Sequence, residues 1–248
     1  VEVQFAMMYV FKFRRNTAAL LLGLIVCLRG AAAENDAPTK LVLVAGPCEH
    51  SAGSHEAEAA VRLLKHCLDR ATTVGPGETL VCYGWPEDEM TLAGAATLVF
   101  TGDGFPPSRA PQPAKAMAQL ERLMAKGCGI VCLHYAMGLK KEQATQENAQ
   151  RLLKWLGGYF ATGQSKGGFY EDIVYTPADD DHPIQRGWKS FSFRGESYWD
   201  MCFDGEAGAG KMFPIASTLL PPEEPREHVV VWAFQRTDGG RSVGIAPP

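Results

Sequence analysis

From Leu41 onward the apolar positions alternate between two rhythms. Leu41-Val42-Leu43-Val44-Ala45 is a continuous apolar run stopped by Gly46-Pro47, the pattern of a strand buried on both faces. It is followed by Ala57, Ala60, Val61, Leu64, Cys67 and Leu68 at helical spacing, with Ser54 as a cap and Glu56 and Glu58 in the early turns, which predicts a helix over Ser54–Leu68. The alternation repeats: strands over Thr79–Cys82 and Ala96–Thr101, a helix over Lys115–Lys126, a strand over Gly129–Leu133 and a helix over Lys141–Leu156. Strands and helices in this order predict an α/β fold with an open, mostly parallel sheet and helices on both faces. Beyond Gly157 the chain turns aromatic and glycine-rich. Extended stretches near Phe169–Val174, Phe191–Phe193, Ile215–Leu219 and Val229–Phe234 read as edge strands and loops over the C-terminal rim of that sheet.

The first 33 residues follow a different pattern. Lys12, Arg14 and Arg15 precede an apolar run from Ala18 to Leu28, and Ala31-Ala32-Ala33 follows. Basic, apolar and small-residue segments in that order predict a signal peptide over 1–33, with 1–6 upstream of the native start, a linker over 34–39 and a single domain over 40–248. The run is short for a membrane span, so the expected protein is exported, periplasmic or extracellular, with no stable span after cleavage. Four basic residues against one acidic residue give the segment a charge of +3, so its removal takes the net charge from −4 to −7. An acidic chain without a basic stripe argues against a nucleic-acid partner. Six cysteines follow residue 33; several lie within apolar elements and none forms a C-x-x-C pair, which speaks against a disulfide framework and a cysteine zinc site.

In an open parallel sheet the ligand crevice lies beyond the carboxyl ends of the strands. Two segments stand there. Glu49-His50 with Gly53-Ser54-His55-Glu56 offers imidazoles, carboxylates and helix-terminal N–H groups, or a plain capping box. Cys132-Leu133-His134-Tyr135-Ala136 has the small-x-nucleophile-x-small outline of a nucleophile elbow, with histidine at the apex where acyl transfer would need cysteine or serine. His134 there reads as a packed core histidine, a general base or a metal ligand. Trp85 and Trp199 are candidates for stacking on a sugar ring or for burial in the core.

His50, Gly53-Ser54-His55-Glu56, Trp85-Pro86, Gly102-Asp103-Gly104, Gly127 to His134-Tyr135-Ala136, His182-Pro183-Ile184, Glu196 with Tyr198, and Trp232 to Gly239-Gly240-Arg241 resemble, in order, the ThuA-like (trehalose-utilisation) family. The resemblance implies a sheet like that of class I glutamine amidotransferases or flavodoxin, without the Cys–His–Glu machinery. It also implies a role in the catabolism of trehalose, other disaccharides or keto-sugars. Carried onto this chain, it makes His134, His55, Glu56 and Glu196 catalytic positions and His50, Tyr135, Trp85, Asp103 and Tyr198 substrate-binding positions. His50, His55, His134 and Glu196 form a set that suits a divalent metal such as zinc. The partner expected is a small-molecule carbohydrate. Two other readings follow from the missing elbow cysteine: a non-catalytic carbohydrate- or partner-binding module, and a glutamine amidotransferase that uses Cys132 or Cys128 instead. The resemblance further implies a glycine-rich stretch ending in His-x-His and a final helix. Here Gly244 runs into Ile245-Ala246-Pro247-Pro248, so the domain is expected to be truncated at its C-terminus.

Overall fold

The computed structural model describes residues 39–71, 77–178, 182–203 and 208–248. The predicted signal peptide and all of the linker but Thr39 lie outside these residues. Strand β1 (Thr39–Ala45) leads through helix α1 (Ala57–Leu68) to β2 (Gly77–Tyr83), and the single-turn α2 (Glu89–Leu92) leads to β3 (Ala95–Thr101). Helix α3 (Pro113–Met124), β4 (Gly129–Leu133) and α4 (Gln146–Leu156) follow. Seven strands complete the chain: β5 (Gly158–Tyr159), β6 (Lys166–Pro177), β7 (Phe191–Trp199), β8 (Cys202–Phe203), β9 (Gly210–Leu220), β10 (Arg226–Arg236) and β11 (Arg241–Ile245).

Nine strands form one sheet in the order β2-β1-β3-β4-β11-β10-β9-β6-β7. The first five are parallel. From β11 onward every pairing is antiparallel. The late extended stretches therefore continue the main sheet as antiparallel strands instead of merely edging it. Chain winding reverses between β1 and β3: the path leaves β1 for β2 on one side and returns to β3 on the other. At such a point ligands of open α/β sheets bind, and here the loops after β1 and β3 are joined by backbone hydrogen bonds from Gly46 to Thr101 and from Asp103 to Pro47.

Alternation along the strands divides the core. Val42, Val44, Leu98, Phe100, Ile130 and Cys132 face α3 and α4, where Met117, Leu120, Leu152 and Trp155 complete a continuous cluster. Leu43, Ala45 and Val99 face α1 through Ala57 and Val61. Helices thus cover both faces, as the sequence predicts.

Three helix starts differ from expectation, α3 beginning two residues early at Pro113. Helix α1 begins at Ala57, with Glu56 at the cap position and no side-chain cap bond; Ser54 remains in the preceding turn. Helix α4 begins at Gln146 because the Thr145 side chain accepts from the Asn148 N–H, while Lys141–Gln143 forms a separate 3-10 turn. Its C-terminus is set by left-handed Gly157, whose N–H donates to the Leu153 carbonyl.

Arg236 ties the antiparallel half to the parallel half. The side chain is 2% exposed and donates to the carbonyls of Met124 and Cys128 and to the Ser242 hydroxyl, with Asp238 as counter-ion. Replacing it would strand buried acceptors. Arg236→Met is expected to lower unfolding free energy by roughly 3 kcal/mol, read as a fall in the urea midpoint with an unchanged slope.

Candidate functional site

Three strand-end segments and one hairpin build the site. The β1 loop carries His50 and His55, the β3 loop carries Asp103, and His134 follows β4 directly. His134 adopts a φ of 50°, a left-handed conformation that a non-glycine residue rarely holds and that gives the elbow its sharp turn. The β6–β7 hairpin supplies the rest. It pairs with the main sheet through Thr176–Ser217 and Pro177–Ala216, with the Thr218 hydroxyl donating to the Val174 carbonyl beside them, and an irregularity between Tyr170 and Ile173 bends it. At its other end Glu196 and Tyr198, two residues apart and so on one face, reach His134. Gly167 lies opposite Tyr198, where a Cβ would come within 2.7 Å of the phenol ring, so only glycine leaves room for it.

Asp103 is fully buried beneath the imidazoles. It accepts from the Glu49 backbone N–H at 2.6 Å, from His50 Nδ1 at 2.7 Å and from His55 Nδ1 at 2.6 Å. Burial pushes its pKa up, but the Glu49 N–H and the two imidazoles outweigh that and hold it at about 2. As an ionised acceptor Asp103 fixes the proton of neutral His55 on Nδ1, leaving the Nε2 lone pair free. His134 is fixed the same way: its Nδ1 lies 2.9 Å from the Ala246 carbonyl, which can only accept, so the Nε2 lone pair is also free.

These two lone pairs face each other. His55 Nε2 and His134 Nε2 are 3.1 Å apart, and Glu196 Oε2 lies 3.1 Å from the second and 3.3 Å from the first. The contact with His134 is foremost in holding the Glu196 carboxyl below its ordinary pKa, so it too is an acceptor. Tyr198 donates its hydroxyl weakly to Glu196 Oε2, at 3.4 Å, and supplies no proton between the two imidazoles. Its ring stacks on His134 at 4.3 Å and 11°, so its hydroxyl, 3.0 Å from Nε2, lies over the imidazole face and not in line with the in-plane lone pair. Burial and then the Glu196 charge push the phenol pKa up, which keeps it an O–H donor.

Two imidazole Nε2 atoms and a carboxylate oxygen converging on one point suit a cation, either a proton shared among them or a metal ion. Ligands about 2.0–2.1 Å from a tetrahedral zinc ion stand about 3.3 Å from one another, close to the separations here. The donor set of two imidazoles and a carboxylate, each imidazole oriented by a second acceptor, is also that of a zinc site with an open position. His55, His134 and Glu196 therefore fit a divalent ion. His50 does not join them: its ring bonds to the far oxygen of Asp103, and its side chain is 46% exposed.

The remaining predicted residues are placed as follows. The Glu56 carboxylate accepts from the Gly53 N–H and shapes the turn, at the wall of a cavity of about 140 Å³ that also touches His55, Gly102 and His134. Tyr135 packs edge-on against Tyr198 and Phe160, behind the site. Trp85 is not brought to the imidazoles; it is buried in the core with its indole N–H on the Gln119 side chain. Trp199 is also buried and packs against Tyr170. Cys132 is completely buried on the α3 side of the sheet with its pKa raised by burial, and burial pushes Cys128 up to about 11. Neither offers a thiolate, so the amidotransferase reading loses its nucleophile. Sequence reasoning missed Asp103 as the residue that orients the histidines; its signal was Gly-Asp-Gly directly after an apolar strand.

Because the carboxyl of Asp103 titrates near pH 2 in the folded chain and near its ordinary 3.8 when unfolded, its contribution is present above pH 4 and lost as pH falls toward 2. Acid unfolding followed by circular dichroism is expected to show roughly 2 kcal/mol of stability lost over that window. Asp103→Asn should flatten the slope there.

No family model matches the chain, and no curated protein matches it in sequence. Solved structures do match in fold. A ThuA-like protein from Parabacteroides merdae superposes with a TM-score of 0.59 at 13% identity, covering 84% of this chain and 79% of its own. A ThuA-like protein from Bacteroides uniformis gives 0.55 at 16% identity, covering 88% and 85%. The β-galactosidase of Halorubrum lacusprofundi gives 0.50 at 12% identity, with 84% of this chain covered but 27% of that larger enzyme. At these identities the likeness is one of fold, and the fold of this chain is that of the ThuA-like proteins: an α/β sheet with helices on both faces.

Proposed function

We propose that the rim crevice is a metal-assisted acid–base site acting on a small polyhydroxylated molecule of the disaccharide or keto-sugar class. The observation that carries the reading is the convergence of His55 Nε2, His134 Nε2 and Glu196 Oε2 with both imidazole tautomers fixed from behind. A divalent ion held by these three atoms would supply Lewis-acid polarisation of a substrate oxygen. The chain's own groups do the rest. Asp103 orients His55 and His50 together, so neither imidazole reorganises during reaction. His50, anchored through Nδ1 and open to solvent on its other side, is the group placed to take a proton from a substrate hydroxyl and return it to a leaving oxygen. Tyr198 presents an un-ionised O–H beside His134, suited to a substrate oxygen that gains charge. The catalytic duty thus moves from Glu56, which serves its own turn, to His50. Carbohydrate as the substrate class rests on the motif resemblance and on the shared fold of ThuA-like proteins. The basic, apolar and small-residue order of residues 12–33 supports export, and no described helix is long and apolar enough to cross a membrane.

Elemental analysis and zinc titration of the purified chain should find about one ion per chain. His55→Ala, His134→Ala and Glu196→Ala should each weaken zinc by more than the 10–100-fold typical of losing an outer-shell partner, which is the loss expected for Asp103→Asn. His50→Ala should keep zinc affinity within about threefold and lower turnover of a keto-disaccharide by roughly 10²–10⁴. Zinc binding without turnover across a disaccharide panel would favour a non-catalytic carbohydrate-binding module.

A further inference from the structure

Beside the imidazoles, a second group of charges spans the crevice. Glu49, next to His50 on the β1 loop, is met by Arg109 from the β3 connection and by Lys140 from the segment after β4. Lys140 Nζ lies 3.0 Å from Glu49 Oε2, and the Arg109 guanidinium bonds to the other carboxylate oxygen. The two cations are the more enclosed partners: their side chains are 16% and 22% exposed, against 50% for Glu49. Their stems are held side by side by Gly104, one residue from Asp103. A Cβ there would meet Lys140 Cγ at 3.3 Å and Arg109 Cγ at 3.6 Å, so the glycine lets both chains run past the same point. The Asp103 oxygens are turned to Glu49 N–H, His50 and His55, and the ion pairs of Arg109 and Lys140 are made with Glu49.

Two positioned cations therefore share one half-exposed carboxylate, at the point where strand order reverses and ligands of open α/β sheets bind. We infer that Arg109 and Lys140 form an oxyanion seat that Glu49 occupies when no substrate is bound, and that the molecule handled by the neighbouring imidazoles carries a carboxylate or phosphate. This deepens the proposed function and rests on it for the polyhydroxylated remainder of the ligand. The guanidinium offers two parallel N–H donors that match either anion, and the ammonium adds a point charge from the second side. Glu49 is suited to yield, since half of it is in water and turning outward rehydrates its carboxylate. The seat left behind is already assembled.

Calorimetric titration of the zinc-loaded full chain with glucose, glucuronate and glucose 6-phosphate tests the inference. One of the two anions should bind at least about tenfold more tightly than glucose, and the tighter one identifies the group recognised. Arg109→Met and Lys140→Met should each abolish that preference, while Glu49→Gln, which removes the competing charge and keeps the side-chain shape, should tighten anion binding severalfold. Zinc affinity should be unchanged in all three variants, which also reports that each has folded. Equal affinity for glucose and both anions in the wild-type and Glu49→Gln chains would overturn the inference, as would an anion preference that survives Arg109→Met and Lys140→Met. Zinc binding without anion preference would count against the oxyanion seat alone; anion preference in a chain that binds no zinc would count against the metal reading alone.

Discussion

A carboxylate with no access to water sits at the root of the crevice, and the rest of the site is arranged around its needs. Asp103 emerges from the end of β3 into a position where an ionised group survives only if its lone pairs are filled. The Glu49 N–H and two imidazoles fill them. Satisfying Asp103 draws the β1 loop inward, turns His55 so that Nε2 points away, and brings His50 alongside at a ring separation of 4.0 Å. The hydrogen bonds that make the buried charge tolerable are the same ones that aim the side chains with chemistry.

His134 reaches the same condition by another route. No carboxylate lies behind it; a backbone carbonyl in the segment after β11, the neighbour of β4, accepts the hydrogen bond from its Nδ1–H. Because β11 is parallel to β4, that segment leaves the sheet at the same edge as the elbow, and the contact follows from register. Two imidazoles on different loops are thus prepared identically by unrelated acceptors, one ionic and one neutral.

The parallel half of the fold was legible in the sequence because its strands are apolar on both faces and its helices amphipathic, so burial alone marks them. The antiparallel half was legible as extended segments but not as a continuation of the sheet, since apolar residues such as Phe169, Val174 and Phe191 stand exposed on it and carry no mark of which strand they will join. Among site residues, Glu196, inside β7, was marked only by the family resemblance, whereas His50, His55 and His134 could be picked out by residue type and position after strands. What they do could not. The separation of His50 from the other three depends on which oxygen of Asp103 each ring meets, a matter of loop path that no spacing encodes. Trp85 shows the opposite limit: an aromatic near a strand end looks available to a ligand until an internal partner such as Gln119 is found for its N–H.

The hairpin that brings Glu196 and Tyr198 to His134 is fastened to the main sheet by two residue pairs at its far end. Whatever charge is placed among the three acceptors is therefore bound by two pieces of the chain that are paired as strands at the hairpin's far end and packed through Tyr198 at this one. Occupancy and docking of the hairpin then become one equilibrium: the bound species acts as a clasp, each state of the clasp favours one state of the hairpin, and the thermal stability of this half of the molecule becomes a gauge of how full the site is.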